Sequence, residues 1–337
     1  MVAPADEHLG SAVKRAGKVQ AAKGLRSEAQ KARSLVAKRL DALTKELTVP
    51  LGVYVKGFPA LDRLHPFERT LVELTLGAEV YERALERVNR LRIRLLEQGK
   101  RYAGQAKGTG SKKEALSLLE TGSAALEQMY RKDAAAVDKL KYVAMALRRL
   151  PVVELDVPTV ALVGAPNVGK SSLVQFLSSG KPEINNYPFT TKGIKMGHFF
   201  VEDRRHQVTD TPGLLPRSSE ARNSIEALTI ASLEHLPTAV LFVLDLTGES
   251  GTLVEDQLSI RAELKGRFGD KAWLDVVSKK DLLDIALDPE VAEFGDKDAQ
   301  RALRELPAAL LVSTAGDGEG IGALMGAMQA MMSRAPT

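Results

Sequence analysis

Apolar side chains recur every three or four positions along residues 67–147. Val80, Ala84, Val88, Leu91 and Leu95 form one stripe, and Arg83, Arg87, Arg90 and Arg94 repeat on another face. That period belongs to α-helices with one face toward a core and one toward solvent or an anionic partner. Residues 11–47 are rich in Ala, Lys, Arg and Leu and contain no Pro, which predicts a long basic helix or arm ending near Pro50. Pro59 and Pro66 in FPALDRLHPF frame a turn and a helix start. The GTGS stretch at 108–111 reads as a connection, and a further helical segment follows over 112–148. After Pro151 the pattern shortens into the β-rich runs TVALVG, HQVTD, AVLFVLDL, WLDVVS and ALLVST, separated by helical or loop segments. Strands alternating with helices predict a mostly parallel sheet covered on both faces. The expected organisation is a basic helical arm over 1–48, an all-α bundle over 49–150 and an α/β domain over 151–337.

Composition narrows this picture. The 337 residues are 44% apolar and 27% charged, ordinary for a globular chain with room for two cores. No apolar run approaches the roughly 20 residues of a membrane-spanning helix. There is no cysteine, which excludes disulfides and thiolate metal sites, and five scattered His make a structural zinc a poor reading. The net charge of +4 hides an asymmetry, because residues 1–150 carry +12 and the remainder −8. A basic half of this size points to nucleic acid or another anionic surface, with a merely solvated basic face as the plain alternative.

The second half carries the chemistry. Gly164-Ala165-Pro166-Asn167-Val168-Gly169-Lys170-Ser171 fits G-x-x-x-x-G-K-[ST] between the strand run TVALV and the helical SSLVQFLSS. Gly164 and Gly169 let the backbone curl so that its N–H groups face phosphates at a helix N-terminus. Lys170 reaches the β- and γ-phosphates, and the hydroxyl of Ser171, followed by Ser172, is a Mg²⁺ ligand. Asn167 either shapes this loop or helps seat a monovalent cation such as K⁺ beside the phosphates. Further on, Phe189, Thr190 and Thr191 lie in a candidate switch loop, where a threonine completes Mg²⁺ coordination. Asp210-Thr211-Pro212-Gly213 follows HQVTD. Asp210 is placed to hold Mg²⁺ through water, and the Gly213 N–H to meet the γ-phosphate. Lys170, Thr191 and Gly213 are the groups expected to act on the γ-phosphate.

Two later stretches address the base. Ser278-Lys279-Lys280-Asp281 follows a strand, and Ser313-Thr314-Ala315 follows another. In an Asn-Lys-x-Asp reader the Asp accepts from guanine N1–H and N2–H₂, donors that adenine lacks, so Asp281 carries the discrimination. Lys279 lays its stem against the base. Ser278 replaces the Asn that would brace the phosphate loop, and its hydroxyl does part of that work. Leu214 stands where many GTPases place a water-orienting Gln, so unassisted hydrolysis is expected to be slow, near the ~10⁻⁴ s⁻¹ scale. His198, His206 and Arg217 read as structural or solvent-facing.

GAPNVGKSSL, NYPFTTKGI…MGH, DTPGLL and HLPTAVLFVLDLTGESG together resemble the Obg superfamily of GTPases, and look most like its nucleolar GTP-binding protein 1 (Nog) family. The resemblance continues upstream through FPALDRLHPF and covers about residues 50–325. It implies GTP/GDP and Mg²⁺ as cofactors, with Mg²⁺ on Ser171 and Thr191. It also implies a precursor large ribosomal subunit, its rRNA and other assembly factors as partners. No membrane partner is expected, and the protein is expected to be monomeric off the ribosome. Ser278 and the short stretch after the last motif resemble the plastid-type branch, which makes a plastid the expected compartment. The alternatives are a mitochondrion or a prokaryotic cytoplasm, with the nucleolus disfavoured. Two other functions stay open: a GTP-binding scaffold with negligible hydrolysis, and a GTPase on an anionic membrane surface.

Overall fold

The computed structural model describes residues 2–190, 193–217, 221–287 and 297–334. The chain forms two compact units. The first comprises Met1–Leu64 and Thr75–Arg148, and the second His65–Leu74 and Arg149–Thr337.

The first unit is all-helical: α1 (Ala5–Gly17), α2 (Glu28–Lys56), α4 (Ala78–Lys107), α5 (Lys112–Lys132) and α6 (Ala134–Arg148). Ser27 with Gln30 and Ser111 with Glu114 form capping boxes that satisfy the first amides of α2 and α5. Leu40, Leu47, Leu91, Leu95, Leu126, Tyr130 and Leu140 are fully buried and build the core. The stripe along α4 is buried at Ala84, Val88, Leu91 and Leu95, but Val80 is exposed and Tyr81 is buried in its place. One residue of slip at the helix start suffices, because Tyr81 brings more apolar area inward and its hydroxyl donates to the Pro59 carbonyl at 2.6 Å.

The expected basic arm departs from its sequence reading in two ways. It is broken over residues 18–27, where Gly24 adopts φ 83°. Beyond that break, α2 continues through Pro50 to Lys56, so residue 48 lies inside a helix rather than at a boundary. A proline has no N–H for the carbonyl four residues back. Here that carbonyl is Glu46 O, and it accepts from His8 Nε2 at 3.0 Å instead. The other ring nitrogen of His8, Nδ1, then accepts from the Tyr130 hydroxyl at 2.7 Å. The imidazole of α1 thus replaces the bond that Pro50 cannot make.

The second unit is a seven-stranded sheet of order β2-β3-β4-β1-β5-β6-β7. The strands are β1 (Thr159–Val163), β2 (Glu183–Asn185), β3 (Ile194–Val201), β4 (Arg204–Asp210), β5 (Thr238–Leu244), β6 (Trp273–Val277) and β7 (Leu310–Leu311). Strands β4, β1, β5, β6 and β7 are parallel, while at one edge β3 runs antiparallel to both its neighbours, β4 and β2. Every residue of β1 and β5 is buried, as expected of central parallel strands covered on both faces. The sheet is accompanied by α7 (Lys170–Leu177), α8 (Ser224–His235), α9 (Val254–Arg267), α10 (Lys280–Leu287), α11 (Lys297–Glu305) and α12 (Ile321–Arg334). Helix α3 (Pro66–Leu76) belongs mostly to this unit. Its Phe67 and Leu71 share an apolar cluster with Tyr187, Ile194, Leu228 and Ala231. The loops after β1, β4, β5, β6 and β7 leave from the carboxyl ends of the strands, the usual ligand-binding edge of such a sheet.

Burial lowers the pKa of His8, outweighing the nearby Glu46. Between that depressed value and the ordinary value near 6.5, the unfolded chain holds the extra proton. Stability therefore falls as pH drops below about 6.5 and levels once the folded imidazole also titrates. Urea unfolding followed at pH 7.5, 6.5 and 5.5 should show this decline in the helical unit. His8→Gln, which donates to Glu46 and does not titrate, should flatten it.

Candidate nucleotide-binding site

Strand β1 delivers its chain at Gly164, whose φ of 154° is open only to glycine, and α7 begins after Gly169 at φ 94°. A Cβ on Gly164 would lie 2.2 Å from the Val243 carbonyl oxygen of β5, so the loop leaves the sheet in close contact with the neighbouring strand. Asn167 stands exposed at the apex with φ 60°, a left-handed conformation that Asn tolerates better than most residues. This supports its loop-shaping role.

A loop whose amides face inward must satisfy its carbonyls elsewhere. Gly164 O accepts from the Leu214 amide at 3.1 Å. The Lys170 ammonium donates to Gly164 O at 3.1 Å and Ala165 O at 2.6 Å. Val168 O accepts from the Ser278 hydroxyl at 2.6 Å. The Ser278 oxygen also lies 3.0 Å from Leu244 O, but with one proton it donates to the nearer carbonyl. Ser278 therefore braces the phosphate loop directly. Burial holds the Lys170 pKa down to about 8, with Asp210 pulling the other way.

Asp210 ends β4 and is 9% exposed. One of its oxygens accepts from the Ser171 hydroxyl, while Oδ1 is buried and has no hydrogen-bond partner among the described residues. Burial raises its pKa against the opposing Ser171 bond and Lys170 charge. A buried, half-satisfied carboxylate next to a hydroxyl is a donor set suited to a hard cation. Beyond it, the Thr211 hydroxyl donates to Leu162 O at 2.7 Å and Pro212 O accepts from Thr229 at 3.1 Å. Gly213 lies flat on the phosphate loop, where a Cβ would sit 2.6 Å from Pro166 N. Leu214 is fully buried in the main core, so the position after DTPG presents no side chain to the site.

The Ser278–Asp281 stretch is tied into the same edge. Asp281 accepts from Ser313, whose oxygen also takes the Ala315 amide at 3.0 Å, linking the loops after β6 and β7. Lys279 adopts φ 53° and its ammonium pairs with Asp245 Oδ2 at 2.7 Å. Asp245 is fully buried at the end of β5, and Thr247 and Lys279 hold its carboxyl below the usual range despite burial. Gln257 clamps the Asp245 backbone through two bonds of 2.8 Å. The sequence reading missed Asp245, although a single acid ending the run AVLFVLD was a usable signal.

Other candidates lie apart. Thr190 caps a turn, its amide and hydroxyl both donating to Tyr187 O, and Phe189 packs on the cluster of Phe67 and Tyr187 rather than standing free. Thr191 lies outside the described residues. Ser172 is exposed on the first turn of α7, and Thr314 is half-buried between Ser313 and Ala315. His206 is buried, stacked on Phe199 and bonded to Arg204 O, a structural role, and His198 is half-buried on β3. Arg217 lies 3.6 Å from Glu226. Glu226 is itself a second missed residue. It is 2% exposed, and accepts from the Leu215 amide and from the Asn223 amide, each at 3.1 Å. The N-x-x-E spacing of a capping box was its only sequence signal.

A phosphate loop on β1, an acid at the end of β4 and a base reader after β6 define a P-loop protein of the GTPase class. Residues 1–154 match the NOG1 N-terminal helical domain, and residues 224–281 match nucleolar GTP-binding protein 1 (NOG1). The chain belongs to the nucleolar GTP-binding protein 1 (Nog) family. It is 31% identical over 256 residues to nucleolar GTP-binding protein 1 of Encephalitozoon cuniculi, spanning 76% of this chain and 48% of that one. The Arabidopsis thaliana protein of the same name is 32% identical over 233 residues, 69% of this chain and 35% of that one. The chain thus spans half or less of the length of these relatives. The crystal structure of a Plasmodium falciparum nucleolar GTP-binding protein 1 is 27% identical, with a TM-score of 0.43 over 55% of this chain and 91% of that one. Among the described residues no helix is long and apolar enough to cross a membrane.

Ser278→Ala removes the donor to Val168 O while leaving the fold intact. Loss of one such bond, about 1 kcal/mol, should weaken guanine nucleotide binding by about three- to tenfold. Titration with a fluorescent GDP derivative measures it.

Proposed function

We propose that this protein binds GTP and GDP with Mg²⁺, hydrolyses GTP slowly, and acts as a nucleotide switch in assembly of the large ribosomal subunit. The observation that carries the reading is the convergence of Lys170, Ser171, Asp210, Gly213 and Asp281 on one edge of the sheet, in a chain of this family. In the bound state Lys170 exchanges its loop carbonyls for phosphate oxygens. Ser171, with Asp210 behind it and Thr191 from the switch loop, would hold Mg²⁺, which neutralises charge on the β- and γ-phosphates. Asp281 selects guanine. The buried Leu214 supports slow hydrolysis, because no side chain at that position orients the attacking water. K⁺ beside Asn167 is the remaining cofactor assignment, supported by its exposed place at the loop apex.

The partner assigned to the helical unit is precursor rRNA, with the other assembly factors around it. Part of the arginine face is already paired. Arg83 and Arg90 meet Glu79 and Glu86 one turn back, and Arg94 meets Asp133. Arg87 has no ion-pair partner among the described residues, and the exposed pairs cost little to exchange for phosphate. A plastid location is the assigned compartment, with Ser278 in its support, and imaging of a fluorescent fusion decides it.

Single-turnover hydrolysis should proceed near ~10⁻⁴ s⁻¹ unassisted, and faster with precursor large subunits and in K⁺ than in Na⁺. A rate that no subunit or cation changes would favour a scaffold instead. Neutralising Arg87, Arg90 and Arg94 together should weaken binding to structured rRNA and shallow the log–log salt slope by about one per lost phosphate contact. An unchanged slope would show a merely solvated face.

A further inference from the structure

Helix α3 is encoded inside the helical half, with Leu64 before it and Thr75 in its last turn belonging to the first unit, yet His65–Leu74 pack with the second. Its stripe of Phe67, Leu71 and Leu74 is spaced four and three apart, and Phe67 and Leu71 are 2% and 3% exposed. The outer face is polar, with Arg69 and Glu73 paired at 2.8 Å.

The cluster under α3 joins two loops of the nucleotide site. Tyr187 and Phe189 come from the loop that leads to Thr190, and their rings lie 5.8 Å apart. The Tyr187 carbonyl holds both the amide and the hydroxyl of Thr190, at 3.0 and 2.9 Å. Leu228 and Ala231 come from α8. That helix grips the other loop, through Thr229 on Pro212 O and Glu226 on the Leu215 amide. Gly213 lies between these two anchors. One helix therefore packs against both segments that would respond to a γ-phosphate.

We propose that α3 is a switch-positioning helix, in which Phe67 and Leu71 hold the 186–190 loop and α8 in the arrangement that favours triphosphate over diphosphate. The role rests on the nucleotide-switch reading above. Neither residue touches nucleotide; they act through Tyr187, Phe189 and α8.

The test uses the full chain and Mg²⁺, comparing affinities for a non-hydrolysable GTP analogue and GDP by fluorescence titration. Phe67→Ala and Leu71→Ala should lower the preference for the analogue by about fivefold or more, with GDP affinity changed by less than about twofold. Leu126→Ala, a fully buried site in α5 of the first unit, controls for general loss of stability and should leave the preference unchanged. If the alanine variants do not fold, Phe67→Leu and Leu71→Val should move the preference the same way by less. Variants that lower Tm but keep the wild-type preference, as the Leu126 control does, would overturn the role. A wild-type chain that does not distinguish the analogue from GDP would sink the switch reading itself, and that result is visible without any variant.

Discussion

The structure depends on satisfying the carbonyls of one tight loop. The chain from Gly164 to Gly169 curls into the start of α7, and its carbonyls need donors from outside. Those donors come from three separate stretches: Lys170 within the motif, the Leu214 amide after β4, and the Ser278 hydroxyl after β6. Unpaired carbonyls in so buried a place would cost about 1–3 kcal/mol each. The loop can therefore hold its shape only when the strands carrying the other motifs are in register beside it.

That requirement explains two departures from a familiar sequence pattern. Ser278 stands where Asn is usual, yet its short side chain reaches Val168 O at 2.6 Å because β5 and β6 bring it next to the loop. At Leu214 the amide serves Gly164 O and the side chain enters the main core. A polar side chain there would be buried without a partner, which ties this position to packing rather than to water. Charge follows the same logic, since Lys170, Asp210 and Asp245 are all buried and Lys279 leans on Asp245. Of these groups only Asp210 keeps an oxygen without a partner among the described residues, at the place where the donor set suits a cation.

Much of this was legible in the chain. The octet at 164–171 states its own geometry, and the central parallel strands stand out because strands buried on both faces are continuous apolar runs. The antiparallel edge was not legible. Strand β2 is three residues long and β3 mixes buried, half-buried and exposed positions irregularly, so neither gives a run. Pro50 read as a helix end because a proline normally leaves a carbonyl unsatisfied. The sequence carries no sign that His8, 38 residues before Glu46, supplies the donor that the Glu46 carbonyl lacks.

By itself, then, the sequence determined the classes of its elements, the glycine-framed loop before α7, the acid at the end of β4 and the Ser-Lys-Lys-Asp stretch after β6, because each depends on local spacing or on side-chain chemistry alone. Tertiary structure decided which donor reaches which carbonyl, that Leu214 faces the core, and that α3 packs with the unit whose sequence begins some 75 residues later. An amphipathic stripe records that a helix must bury one face. It cannot name the surface that covers it, because apolar contact is non-directional and only the folded chain brings one particular partner within reach.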